Sequence, residues 1–191
     1  MTTDVDETRR IRFTRGDFDR IRELDIFPGQ RLKLIDGELI DKSGQTPAHA
    51  KASHELRAWF AEAFGAIRTR VGMPVDLAEA DRAMNWVAPD AALLAKANPE
   101  YCERHPRGDE ILLAVEVSDT TVRFDATWKR DLYARAGVPE YWVLDLPGRR
   151  LIVHRDLREG QYQNIDTPSE HDTASPASHP EASIPVALLL T

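Results

Sequence analysis

The chain has a single cysteine, Cys102, so no intrachain disulfide can form. That excludes a disulfide scaffold and fits a reducing compartment such as the cytoplasm. Long apolar runs are also missing. Nothing approaches the ~18 residues a membrane helix needs, and MTTDVDETRR at the start lacks the apolar core of a signal peptide. A membrane partner is therefore not expected. An excess of positive charge is absent too. Lys and Arg number 25 against 32 Asp and Glu, for a net charge of -7 and a pI near 5.4. This argues against non-specific coating of nucleic acid, although a local basic groove stays open. The sequence shows no internal repeat, heptad run, phosphate-cradling glycine loop or cysteine–histidine metal framework.

What is present suits one globular domain. With 191 residues, 42% hydrophobic and 30% charged, the chain can bury a core but is short for two domains. Residues 1–10 read as a disordered leader, and 11–191 as a single domain. Thr14 and Asp17 resemble a capping box for a helix that turns Phe18, Ile21 and Leu24 to one face. Asp36-Gly37 between RLKLI and ELID predicts a hairpin, because a type I′ turn needs positive φ twice. Thr46-Pro47 opens a helix that buries Leu56, Trp59, Phe60 and Phe64 and stops at Gly65. AIRTRV, PVDLA and NWVAPDAALL read as strands. ILLAVEV is aliphatic enough for a central strand buried on both faces. A helix follows over 127–136, burying Trp128, Leu132 and Ala136. EYWVLDL and RRLIVHRD form a hairpin across Pro147-Gly148. The Ser-, Pro- and acid-rich stretch near 166–182 has little to bury and reads as a mobile loop. SIPVALLL then docks back.

Two strands carry a carboxylate where packing prefers none. Asp90 follows Pro89 in one apolar run, and Glu116 lies between Val115 and Val117 in another. Strands are depleted in such residues, and buried charge is costly unless paired or bound to a metal. Lys129 sits on the next helix. Two carboxylates suit a hard divalent cation, Mg²⁺ or Mn²⁺, and a lysine can orient water or stabilise developing charge. Against this, Asp125 and Lys129 are four apart, the spacing of a routine surface ion pair.

Pro89-Asp90 followed by Glu116-Val117-Ser118 resembles the PD-(D/E)xK nuclease signature. The chain is similar in finer detail to the Uma-two family of restriction-endonuclease-like proteins. The matching residues are DGEL at 36–39, His49 opening the next helix, VEVS at 115–118, and Asp125, Lys129 and Tyr133. The string AGVPEYWVLD at 136–145 is the most specific. Two departures stand out. The superfamily lysine usually lies two residues after the glutamate, where this chain has Ser118. The family's S-P-S-T appears here as Ser118-Asp119-Thr120-Thr121.

The resemblance implies an α/β fold, a mixed central β-sheet flanked by helices. It implies a metal-dependent nuclease acting on nucleic acid, with DNA expected ahead of RNA. Asp90, Glu116 and the Val117 carbonyl would hold the metal, with Glu38 as an extra acidic ligand. Lys129 would serve catalysis, and His49, Asp125 and Tyr133 would surround the site. Cutting two strands needs two sites, which leaves a homodimer open. The alternatives are a binding or scaffolding protein that kept these residues without catalysis, and a hydrolase of small phosphoesters.

Overall fold

The computed structural model describes residues 11–41 and 44–190; the stretch 1–10, read as a leader, lies outside them. Helix α1 (Arg15–Glu23) begins at the Thr14–Asp17 capping box and buries Phe18, while Leu24 lies past its end and is exposed. Strands β1 (Leu32–Ile35) and β2 (Glu38–Asp41) form the expected two-residue hairpin. Asp36 and Gly37 both take positive φ, and a Cβ on Gly37 would come within 2.6 Å of Met84 Cε. Helix α2 (Pro47–Phe64) has Thr46 as N-cap, Pro47 at its first position and Gly65 at its end, and it buries Leu56, Phe60 and Phe64.

The three strands expected next are mostly irregular. Only β3 (Thr69–Arg70) pairs in the first, the second forms no strand, and the third shortens to β4 (Ala91–Leu94) after the brief helix α3 (Glu79–Arg82). Gly72 at φ 59° turns the chain, and Pro74 and Pro89 have no N–H to give a ladder. Asp90 therefore stands at the mouth of its strand rather than inside it.

Strand β5 (Ile111–Ser118) is central and almost wholly buried. It leads into α4 (Val122–Phe124), one π turn (Asp125–Lys129) and α5 (Arg130–Ala136), so the helix begins earlier than expected. Trp128 and Ala136, expected in the core, are half-buried, and Asp125 and Lys129 take the buried positions. Strands β6 (Tyr141–Asp145), β7 (Arg150–Arg158) and β8 (Gln161–Asp166) complete a six-stranded sheet ordered β3-β4-β5-β6-β7-β8. The β5–β6 pair is parallel and the others are antiparallel, giving the expected mixed sheet flanked by helices. Side chains alternate between its faces. Val115, Val117, Trp142 and Leu144 meet α2. Ala114, Tyr141 and Val143 meet Leu132 and Tyr133 of α5. Glu116 shares that second face.

The segment 166–182 carries strand β9 (Thr173–Ala174) and several anchors. Arg149 pairs with Glu170, Arg155 reaches the Ser175 carbonyl, and Ala177 N–H donates to buried Glu140 at 2.7 Å. Strand β10 (Ile184–Pro185) pairs with β9, and helix α6 (Val186–Leu189) docks Val186 and Leu189 beside α2. Among the described residues no helix is long and apolar enough to cross a membrane.

Buried His154 stacks on Tyr141, and burial lowers its pKa to about 4. The unfolded chain, titrating near 6.5, binds this proton first, so the native state loses stability as pH falls from about 6.5 to 4. His154→Phe should remove on the order of 3 kcal/mol of that acid loss, read from urea unfolding across the range. Equal pH slopes for the two proteins would mean that His154 titrates normally.

Candidate functional site

Strands β4 and β5 pair antiparallel through Ala91↔Val115, so the next register position sets Asp90 beside Glu116. Asp90 is pinned there: its Oδ2 accepts the Val117 N–H at 2.8 Å. Helix α2 approaches the same point with its N-terminus. His49 Nε2 lies 3.8 Å from Asp90 Oδ2, and His49 Nδ1 is 3.2 Å from Ser53 Oγ. The capping Thr46 donates its hydroxyl to Asp119 at 2.6 Å, which ties α2 to the loop after β5.

Glu116 is 2% exposed, and each of its oxygens has one partner. Tyr133 donates its hydroxyl to Oε1 at 2.9 Å, and Lys129 Nζ lies 2.9 Å from Oε2. Lys129 also meets Asp125 Oδ1 at 2.7 Å. Asp125 accepts from Ser118 at 2.7 Å and Thr121 at 2.6 Å through Oδ2. The π turn makes this possible. Its widened backbone bonds Arg130 N–H to the Asp125 carbonyl, which also accepts the Tyr141 hydroxyl at 3.0 Å. Both charged residues of the turn can then face the sheet, and such turns often mark functional sites.

Burial pushes the Glu116 carboxyl up, against the pull of Lys129. Burial alone would lower Lys129, but Glu116 and Asp125 outweigh it, so the proton stays on the ammonium. Burial likewise disfavours the Asp125 carboxylate, and Lys129 with the two hydroxyls outweighs that and holds its pKa below the ordinary value. Tyr133 is held neutral by burial and by Glu116.

A cavity of about 110 Å³ borders His49, Asp90, Glu116, Val117, Asp125 and Lys129. Tyr133 stands behind Glu116. Glu38 does not join them: it is exposed at the start of β2 and lies outside the cavity wall. The surface ion pair foreseen for Asp125 and Lys129 is instead a buried one. Sequence reasoning missed Arg31, Lys33, Thr46 and Asp119, which also line the cavity. Thr46 was visible as a helix cap, but nothing marked its partner across 73 residues.

The donor chemistry fits a hard cation. Mg²⁺ takes one or two carboxylates and keeps several waters. Carboxylate oxygens accept more than one contact, so those already made to Asp90 and Glu116 leave lone pairs over. Asp90 and Glu116 are two of the four acidic side chains on the cavity wall, with Asp119 and Asp125.

Removing the ammonium would strand two buried carboxylates. Lys129→Met should cost about 3–5 kcal/mol at neutral pH. The Glu116 carboxyl, already raised, would rise further and that of Asp125 would rise above its unfolded value, so the penalty should shrink as pH falls toward 4. Adding Glu116→Gln should recover part of the loss. Unfolding midpoints at pH 4.5 and 7.5 decide it; a small, pH-independent cost would contradict the ion cluster.

In sequence, no curated protein matches this chain. Among solved structures it is similar to a "putative nuclease belonging to DUF820 from Anabaena variabilis". The two share 12% identity and a TM-score of 0.67, over 89% of this chain and 96% of that one. At such identity the likeness is one of fold, and it is the restriction-endonuclease-like fold. The family model described as "Putative restriction endonuclease" matches residues 17–187. That span includes Asp90, Glu116, Lys129 and both faces of the sheet, and the chain belongs to this family, Uma2.

Proposed function

We propose that the protein is a metal-dependent nuclease that hydrolyses phosphodiester bonds, with DNA as substrate. One observation carries this reading. Asp90, Glu116 and Lys129 are separated in sequence by strand, loop and helix, yet they border one cavity. Bound Mg²⁺ or Mn²⁺ would polarise the phosphoryl oxygen and supply hydroxide at neutral pH. Asp90, Glu116 and the Val117 carbonyl would hold it.

The chain's own groups do the rest. The Val117 N–H fixes the Asp90 carboxylate, and Tyr133 and Lys129 fix that of Glu116. Preset ligands lose no freedom when the substrate arrives. Lys129 acts as a cation rather than a base, since its proton is held by two carboxylates. An ammonium has three donors. Glu116 and Asp125 take two, which leaves one for a phosphoryl oxygen or the attacking water. His49 steadies Asp90 from the α2 side. The reading places the protein in the cytoplasm with DNA, and double-strand cutting would call for a dimer.

The rival, a non-catalytic binding protein, is favoured by one observation: Lys129 and Glu116 are each 2% exposed at their side chains and already satisfy one another.

Asp90→Asn separates the two readings, because Asp90 is less buried than Glu116 and the substitution keeps its shape. Wild type should cleave DNA with Mn²⁺ or Mg²⁺ and gain melting temperature on adding Mn²⁺. Asp90→Asn should fold as well as wild type, lose cleavage at least a hundredfold, and lose most of the Mn²⁺ shift. Undiminished cleavage would remove Asp90 from the site. A wild type that cleaves neither DNA nor RNA would favour the rival.

A further inference from the structure

The cavity is not charged evenly. Its inner wall carries Asp90, Glu116 and Asp125, the last two paired with Lys129, and Asp119 also lines the cavity. Its outer wall is made by the hairpin, with Arg31 just before β1 and Lys33 within it. A second cleft adjoins the first and has Arg31, Lys33 and Asp90 in common with it. There they are joined by Arg22, whose guanidinium lies 4.7 Å from the Trp86 ring centre. This second cleft holds three cations and a single acid, Asp90, in a chain of net charge -7.

The backbone holds the hairpin in this place. Trp86 N–H donates to the Leu34 carbonyl at 2.8 Å, and Lys33 Nζ reaches the Ala88 carbonyl at 3.2 Å. Both contacts bind β1 to the segment that ends at Asp90, which keeps Lys33 near the carboxylate. Arg22 and Arg31 are exposed, and the Lys33 stem is half-buried. An acidic centre with a cationic approach suits a ligand that is a polyanion along its length and meets a divalent cation at one point.

We propose that Arg22, Arg31 and Lys33 form the track that carries the phosphate backbone of a nucleic acid to Asp90. The inference rests on the nuclease reading above and adds the path of the strand and the residues that hold it. The track would contribute affinity without base preference, because phosphate contacts position a strand and base edges specify it.

The test uses the full chain, fluorescent single- and double-stranded 20-mers, EDTA to prevent hydrolysis, and anisotropy at several salt concentrations. Each phosphate contact adds about 0.7–0.9 to the salt slope. The triple variant Arg22→Gln/Arg31→Gln/Lys33→Gln should bind about tenfold or more weakly and lose about two units of slope. A control carrying Arg57→Gln, Lys96→Gln and Arg158→Gln makes the same charge change elsewhere and should keep the slope. Equal losses in both triples, or no loss in the first, would overturn the track. Cleavage by wild type is measured separately. If wild type cleaves while the first triple binds unchanged, the track fails and the nuclease reading stands. If the slope falls as expected but wild type never cleaves, the track stands and hydrolysis fails.

Discussion

A cation sealed between a sheet and a helix constrains everything around it. Lys129 can be buried only because Glu116 and Asp125 both touch it, and each carboxylate can be buried only because it has further donors. Breaking such a cluster at one point exposes the full desolvation cost of what remains. The surroundings are accordingly polar where a core would normally be apolar. Tyr133 reaches Glu116, Ser118 and Thr121 reach Asp125, and Tyr141 supports the carbonyl of the π turn. The strand, the turn and the helix must all be in register for the charges to cancel.

This cluster also sets the geometry of the open side. Once Glu116 is fixed, the antiparallel β4–β5 register brings Asp90 beside it, and the Val117 N–H locks the second carboxylate. Charge is thereby sorted by depth. Lys129 balances the deepest carboxylates, Asp90 is left nearer solvent, and Arg31 and Lys33 line the cavity from the hairpin side. On the proposal made above, a cavity so arranged would take one hard cation and the approach of an anion.

Much of this was legible in the sequence because local chemistry and tertiary structure agree. The Thr14–Asp17 box, the Asp36-Gly37 turn and the Thr46-Pro47 helix start each satisfy a backbone requirement by themselves. The aliphatic density of ILLAVEV was enough to place β5 at the centre. Glu116 declared itself by its company, a charge between valines. What failed was decided at a distance. PVDLA has the composition of a strand but finds no ladder. Trp128 has the look of a core residue, yet the π turn rotates Lys129 inward in its place. Spacing of four residues could not tell a buried ion pair from a solvated one, since the difference lies in Ser118, Thr121 and the sheet beneath. Glu38, by contrast, matched a motif and still lies outside the cavity.

The central claim is that Asp90 and Glu116 together receive a divalent cation. Protein labelled with ¹³C at its Asp and Glu carboxyl groups, titrated with substoichiometric paramagnetic Mn²⁺, reports this directly. The account predicts that the Asp90 and Glu116 signals broaden first and together, before those of exposed carboxylates such as Asp131. Broadening that begins at exposed carboxylates and leaves Asp90 and Glu116 sharp would contradict it.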